Sequence, residues 1–176
     1  MQKLLFLSFL ILLSSCYSQR LSKYIESPET TIFLFRHAEK ADSKNPPLTD
    51  WGQKRANDLA NTLREAGITE IYSSDYIRTQ QTVQPIAKEW NLEIKSYNPR
   101  DLESFSSILK SSSGNIAVSG HSNTTPELVK LLGGNPGLPI GEKWEFDRLY
   151  ILTLKEGKVL NSVQLKYGAF CKPIND

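Results

Sequence analysis

Hydrophobic and polar positions along this chain fall into blocks of two kinds of period. Residues 31–35, TIFLF, form an apolar run closed by Arg36, the pattern of a short strand buried on both faces. After a loop ending in Pro46-Pro47, Thr49 is placed to cap a helix with Leu48 just outside it. Ala56, Leu59, Ala60 and Leu63 then recur at helical spacing up to Gly67, which predicts a helix over 50–66. Residues 68–73 read as a second strand. Val83, Ile86, Ala87 and Trp90 mark the apolar side of a second helix, with Pro85 as a kink site. Residues 92–97 read as a third strand, and Leu102, Phe105 and Leu109 as a helix that stops in the Ser-Ser-Ser-Gly turn. A short buried strand follows at 115–119. Thr125 and Pro126 supply a cap and first turn for a helix carrying Leu128, Val129, Leu131 and Leu132. A Gly- and Pro-rich loop over 133–141 leads to a hairpin of 148–154 and 159–166 around Glu156-Gly157-Lys158. Strands separated by helices predict an α/β fold. It is expected as a three-layer sandwich with a mostly parallel central sheet, helices on both faces and the C-terminal hairpin at the edge.

The N-terminal part of the pattern is different in kind: one lysine precedes an apolar run over 4–13, followed by small polar residues, the layout of a secretory signal. That run is short for a bilayer span. Leu13-Ser14-Ser15-Cys16 resembles the lipobox of bacterial lipoproteins, in which the signal is cut before the cysteine and the cysteine is lipidated. The expected organisation is a lipoprotein-type signal over 1–15, a polar tether over 16–29 and one domain over 30–176. Lipidated Cys16 would then hold an exported protein to a membrane of the bacterial cell envelope. The alternative is a conventional signal cut near Ser18 or Gln19, leaving a soluble secreted or periplasmic protein.

Composition narrows the partners. Lys and Arg number 21 against 19 Asp and Glu, and no block of five or six like charges occurs, so nucleic acid and polybasic membrane docking are not expected. With two cysteines, Cys16 and Cys171, a disulfide framework is excluded. Nothing in the sequence bears on oligomeric state.

In open α/β sheets, ligands gather at the carboxyl ends of strands. Arg36-His37 follows the first strand and Gly120-His121-Ser122-Asn123 follows the 115–119 strand, so both histidines of the chain fall at such ends. Arg78 lies in the opening turn of the helix after the second strand. Guanidinium forks match phosphoryl oxygens and stay charged, while a neutral imidazole among them can attack phosphorus. Nearby positive charge disfavours imidazolium and keeps a ring nitrogen available. Taken singly, each residue also has a structural use as a hydrogen-bonded histidine or a solvated arginine. Their joint placement points to phosphoryl chemistry.

FLFRHAEK resembles the Arg-His signature of the histidine phosphatase superfamily, the phosphoglycerate-mutase-like fold, and specifically its compact branch 1 members. SSDYIRTQQT resembles the second arginine motif of that superfamily, and VSGHSNTTPELV its second histidine motif. The order and spacing fit from about 31 to 154. The resemblance implies a phosphatase that hydrolyses a phosphate monoester through a phosphohistidine on His37. Arg36, Arg78 and His121 would bind the phosphoryl oxygens, His121 as imidazolium, with Asn123 orienting a pocket group. Ala38 stands where the family usually has glycine. The proton donor departs further, because no Asp follows His121. A loop after the third strand offers Asp101 and Glu103 instead, with Glu39 and Asp42 as further candidates. Acidic residues in a first helical turn also complement the helix dipole.

Short connections favour water over a retained bisphosphate as acceptor, hence hydrolysis over mutase activity. Compact relatives of this superfamily include phosphohistidine phosphatases of cytoplasmic proteins, which an exported enzyme would not meet. The expected partner is a phosphorylated small molecule or an envelope phosphate group. Two rivals remain: a catalytically silent lipoprotein that binds a phosphorylated ligand, and a serine hydrolase using Ser122 in SGHSNT. No cofactor is called for, and two histidines flanked by arginines make a poor metal site.

Overall fold

In the computed structural model, which describes residues 29–170, ten elements follow one another. They are β1 (Glu29–Arg36), α1 (Asp50–Thr62), β2 (Glu70–Ser74), α2 (Ile77–Trp90), β3 (Ile94–Tyr97), α3 (Leu102–Ser111), β4 (Gly114–Gly120), α4 (Thr124–Leu132), β5 (Arg148–Lys155) and β6 (Lys158–Lys166). The expected signal, Cys16, the tether up to residue 28 and Cys171 lie outside the described residues. Among the described residues, no helix is long and apolar enough to cross a membrane.

The six strands form one sheet in the order β3-β2-β4-β1-β5-β6. β3, β2, β4 and β1 run parallel, while β5 and β6 are antiparallel at the edge, as the alternation of helix and strand predicts. β1 lies inside the sheet and is apolar on both sides. Ile32 and Leu34 pack with Phe105 and Leu109 of α3 and Leu128, Val129 and Leu132 of α4. Phe33 and Phe35 pack with Leu59 of α1 and Val83, Ile86 and Ala87 of α2. Period-two alternation with both faces buried is why the strand reads as a continuous apolar run.

The differences from the sequence pattern have local causes. α1 is capped as expected, with Thr49 Oγ1 accepting from Gly52 N at 3.1 Å. It ends at Thr62 because Leu63 already closes the turn on Leu59 O, although Leu63 and Ala66 still pack on the core and prolong the apolar rhythm. α2 runs through Pro85 as a single helix. β3 starts at Ile94, since Asn91 turns left-handed (φ 50°) and Leu92 N bonds Ala87 O to end α2. α4 starts at Thr124, and Thr125 is no cap: its hydroxyl reaches across to donate to Phe35 O at 3.3 Å.

The sheet brings the carboxyl ends of β1, β4 and β2 to one edge. Arg36 pairs with Gly120 and Ser73 with Ser119. β5 is antiparallel to β1, with Phe35 opposite Leu149, so its amino end and the loop preceding it arrive at that same edge.

Candidate active site

Strand register sets the geometry first. β1 and β4 end side by side, and His37 N continues the ladder by donating to Gly120 O at 3.0 Å. The residues that leave the sheet at this point are His37 and His121, whose ring centroids stand 5.6 Å apart at an interplanar angle of 68°. They face a cleft of about 300 Å³ that Arg36, Arg78, Asn123, Tyr76, Arg100 and Glu142 also line.

His37 is almost fully buried, and its Nδ1 lies 2.8 Å from Ala38 O. A carbonyl only accepts, so Nδ1 carries the hydrogen and Nε2 keeps its lone pair. Ala38 is buried against Leu48 and Ala56, and its N–H donates to Thr82 Oγ1 at 3.0 Å. The Ala38 methyl group is thus accommodated by the core beneath the loop.

His121 is fixed by a similar argument. Nδ1 lies 3.3 Å from Arg78 Nη2, which can only donate, so Nδ1 accepts. Its hydrogen is therefore on Nε2, which donates to Ser74 Oγ at 2.9 Å; Ser74 in turn donates to Thr79 Oγ1 at 3.1 Å. Tyr76 closes this side, its ring edge-on to His121 at 5.0 Å and under the Arg78 guanidinium at 4.5 Å.

Arg36 is held from the other side. Its Nη1 donates to Gly141 O and Glu145 O, and its Nη2 to Glu142 O at 2.6 Å, while Phe146 stacks 4.1 Å from the guanidinium carbon. A buried cluster anchors that loop. Glu145 pairs with Arg148 at 2.7 Å, Lys166 bridges Glu145 and Asp147, and Glu145 Oε2 accepts from Gly141 N. Three of the four terminal N–H groups of Arg36 are thus committed. Its Nε, and Nε of Arg78, are buried without a hydrogen-bond partner, two of three such side-chain atoms among the described residues. Both arginines line the cleft, and two guanidiniums there suit a multi-oxygen anion.

Burial dominates the electrostatics. It pushes His37 down to about 3, with Arg36 and Arg78 adding to the effect, and His121 down to about 4, with Arg78 and Arg36 again assisting. Both rings are neutral near pH 7. The arginines act in the expected direction, but desolvation is the larger cause. Burial, Arg78 and Arg36 lower His121, the direction opposite to the imidazolium expected of it. Burial also lowers Arg36 to about 10 and lowers Arg78, yet both remain cationic at neutral pH.

The proposed proton donors do not meet at the cleft. Asp101 caps α3, its Oδ1 accepting from Ser104 N at 3.2 Å, and Glu103 sits exposed in that helix's first turn. Both serve the helix terminus, as acidic residues there commonly do. Glu39 is committed to Arg55 through three bonds of 2.8 to 3.0 Å, and Asp42 is exposed on the loop beyond. Among the described residues, the carboxylate lining the cleft is Glu142. Sequence reasoning passed over it because it lies in an irregular loop, next to the Gly- and Pro-rich stretch, where no periodicity assigns a direction. Asn123 does line the cleft, at the start of α4 and without a side-chain cap bond. Ser122 lines it too, but the ring nitrogens with assigned partners face Ala38, Ser74 and Arg78, and none of these bonds is to Ser122. Among the described residues no cluster of metal-ligating side chains occurs.

Comparison with known proteins agrees with this geometry. Residues 32–98 match the family model described as "Histidine phosphatase superfamily (branch 1)". The chain is 37% identical over 71 residues to a probable phosphoglycerate mutase GpmB of Yersinia enterocolitica, covering 36% of this chain and 33% of that protein. It is 30% identical over 78 residues to an 8-oxo-(d)GTP phosphatase of Mycolicibacterium smegmatis, covering 39% of this chain and 24% of that protein. The chain thus spans about a third or less of the length of these curated relatives. In fold it is similar to the protein histidine phosphatase SixA complexed with tungstate, with a TM-score of 0.62 at 20% identity over 77% of this chain and 96% of that one. It is also similar to a putative alpha-ribazole-5'-P phosphatase of Escherichia coli, with a TM-score of 0.63 at 14% identity over 80% and 97% of the two chains.

The two lowered histidine values carry a stability signature. The folded site refuses protons that both rings accept in the unfolded chain near the ordinary 6.5. Below that pH the unfolded state binds more protons, so stability is full above it and declines as pH falls towards about 4. The slope is at most about 1.4 kcal/mol per pH unit for each ring. Urea unfolding of wild type and of a His37→Asn, His121→Asn variant at pH 7 and pH 5 measures it. The wild type is expected to lose more stability than the variant; equal losses would show that the rings do not resist protonation.

Proposed function

We propose that this chain is a branch 1 member of the histidine phosphatase superfamily and hydrolyses phosphate monoesters through a phosphohistidine on His37, a reading supported by the match over residues 32–98 and by the fold. The observation that carries the reading is the fixed tautomer of His37. Its Nδ1–H is held by Ala38 O, which leaves Nε2 without a proton in a ring that lines the same cleft as Arg36 and Arg78.

The sequence of bond changes follows from these positions. The ester's phosphoryl oxygens lie against Arg36 and Arg78, whose charge offsets the negative charge that spreads over them in transfer. Nε2 of His37 forms a bond to phosphorus as the bond to the alcohol oxygen breaks. Glu142 gives that oxygen a proton. The positive charge left on the phosphorylated imidazole is eased by the Ala38 carbonyl on Nδ1–H. Water then attacks phosphorus, Glu142 takes its proton, the Nε2–P bond breaks, and inorganic phosphate leaves. His121 Nε2–H is tied to Ser74, so this ring shapes the cleft and keeps Arg78 in place.

The setting is also part of the proposal. With the lipobox-like stretch ending at Cys16, the enzyme is exported and lipid-anchored, and its substrate is a phosphorylated small molecule or a phosphate group of the envelope.

Brief exposure of the protein to a radiolabelled phosphate ester, quenched without acid, is expected to leave phosphohistidine in wild type and none in His37→Ala, with turnover lowered at least about a thousandfold. Turnover without covalent phosphate would remove the mechanism, and binding without turnover would favour the silent-binder reading. Glu142→Gln should reduce kcat about a hundredfold for an alkyl phosphate, and far less for an aryl phosphate whose leaving oxygen needs no proton. A loss of equal size for both would end its role as proton donor. Labelled palmitate is expected in the full chain expressed in a bacterium and absent from Cys16→Ala, which would leave the membrane fraction; unlabelled wild type would reject the anchor.

A further inference from the structure

Beyond the end of β1 the chain leaves the sheet, and the ladder closes with the bond from His37 N to Gly120 O. Ala38, the next residue, is fully buried, so its N–H needs a partner that no strand provides. Helix α2 supplies it. Thr82, also fully buried, accepts from Ala38 N at 3.0 Å and donates its hydroxyl hydrogen to Arg78 O at 2.8 Å. Threonines inside helices often return their hydroxyl to the carbonyl four residues back, a bond that brings the helix no gain by itself. Here it has a directional consequence. With the hydrogen committed to Arg78 O, the hydroxyl presents lone pairs to Ala38. One oxygen thus ties the loop that bears His37 to the turn that bears Arg78.

That tie bears on the ring through a single residue. The Ala38 methyl packs with Leu48 and Ala56, its N–H is held by Thr82, and its carbonyl accepts from His37 Nδ1 at 2.8 Å. Which ring nitrogen carries the hydrogen is set by the bond the other makes, so the direction of this carbonyl decides the tautomer. α2 grips the same loop at two further points: Ile77 N donates to Asn45 Oδ1 at 3.1 Å, and Leu48 N to Gln81 Oε1 at 2.7 Å. Those bonds lie towards the far end of the loop, whereas Thr82 holds it beside the ring.

We infer that Thr82 is a positioning residue for the nucleophile. Through Ala38 it holds His37 in the tautomer that leaves Nε2 without a proton, and through Arg78 O it keeps that ring in register with the arginine's turn. The catalytic consequence rests on the phosphatase reading above, while the tautomer is a property of the folded chain alone.

Three variants test it. Thr82→Val keeps the shape and loses both bonds, Thr82→Ser keeps both bonds and loses a methyl, and Gln81→Met cuts the tie at the far end of the loop. Proton–nitrogen correlation spectra of protein carrying isotope-labelled histidine read the tautomer at neutral pH, with His121→Asn assigning the two rings. His37 is expected as the Nδ1–H form in wild type, Thr82→Ser and Gln81→Met, and as a mixture of both forms in Thr82→Val. On an aryl phosphate, Thr82→Val should lower kcat about tenfold with KM changed less than about twofold, and Thr82→Ser should recover most of that loss. An unchanged tautomer in Thr82→Val overturns the inference. So does the same mixture in Gln81→Met, which would mark general loosening of the loop, or an equal loss of kcat in Thr82→Val and Thr82→Ser, which would mark packing of the methyl. Should Thr82→Val not fold, wild type decides: the Ala38 amide is expected to exchange with deuterium no faster than that of His37, and free exchange would show the bond to be absent. If no ester turns over in wild type, the phosphatase reading fails, and the tautomer of His37 still decides the role of Thr82.

Discussion

The parallel pairing of β1 with β4 is the constraint on which the site depends. Arg36 stands opposite Gly120, and the bond from His37 N to Gly120 O extends the ladder one residue past the strands. Since side chains alternate across a strand, a slip of one residue in this register would send one histidine to the opposite face. The register is secured by burial. Ile32 and Leu34 face one cluster and Phe33 and Phe35 the other, so a slipped β1 would exchange its partners in both cores at once. Gly120 belongs to the same constraint: a Cβ there would meet Thr125 Oγ1 at 2.7 Å and Tyr97 Oη at 3.0 Å.

Once the rings are adjacent, donor and acceptor chemistry decides their state. Carbonyl oxygen beside His37 Nδ1 and guanidinium beside His121 Nδ1 impose opposite tautomers on two neighbouring imidazoles. Desolvation then keeps both neutral, and the arginines reinforce it. A buried cation has its own cost, which the fold offsets for Arg36 by three carbonyl oxygens and an aromatic face. Those contacts use three of the four terminal N–H groups and leave Nε, so the bonds that make the burial of Arg36 tolerable also orient its remaining donors.

Much of this was legible in the sequence, and the limits are physical. Strands and helices with strong periodicity, such as TIFLF and the run from Ala56 to Leu63, were placed within a few residues, and the positive φ of Glu156 and Gly157 fits the turn expected between β5 and β6. His37 and His121 could be brought together because the ends of parallel strands share an edge, a rule of topology that needs no side-chain detail. Element boundaries failed where a cap borrows a residue from the next element, as Leu92 does for α2. The acid failed for a deeper reason. Asp101 and Glu103 have the right charge at a suitable distance along the chain, but a helix N-terminus takes the first through Ser104 N and leaves the second in solvent. Glu142 reaches the cleft through a loop whose path is set by tertiary contacts, which no local pattern encodes.

That path rests on the buried charges beneath it. Glu145, Asp147 and Arg148 are all under one-tenth exposed, and burial alone would push the Glu145 carboxyl up; Lys166, Gly141 N–H and Arg148 outweigh it and hold the group below its ordinary value. Buried ion pairs of this kind repay their desolvation poorly, and apolar replacements of similar volume are often as stable. Stability is therefore a weak reason for the cluster. Its bonds show a better one. Arg148 Nη1 holds Leu138 O, Glu145 Oε2 holds Gly141 N, and the carbonyls of Gly141, Glu142 and Glu145 in turn grip Arg36. An apolar core could bury the same volume, but it could not fix the direction of three carbonyl oxygens. Directional bonds are what this loop requires, because it must hold a guanidinium in one orientation while presenting Glu142 to the same cleft.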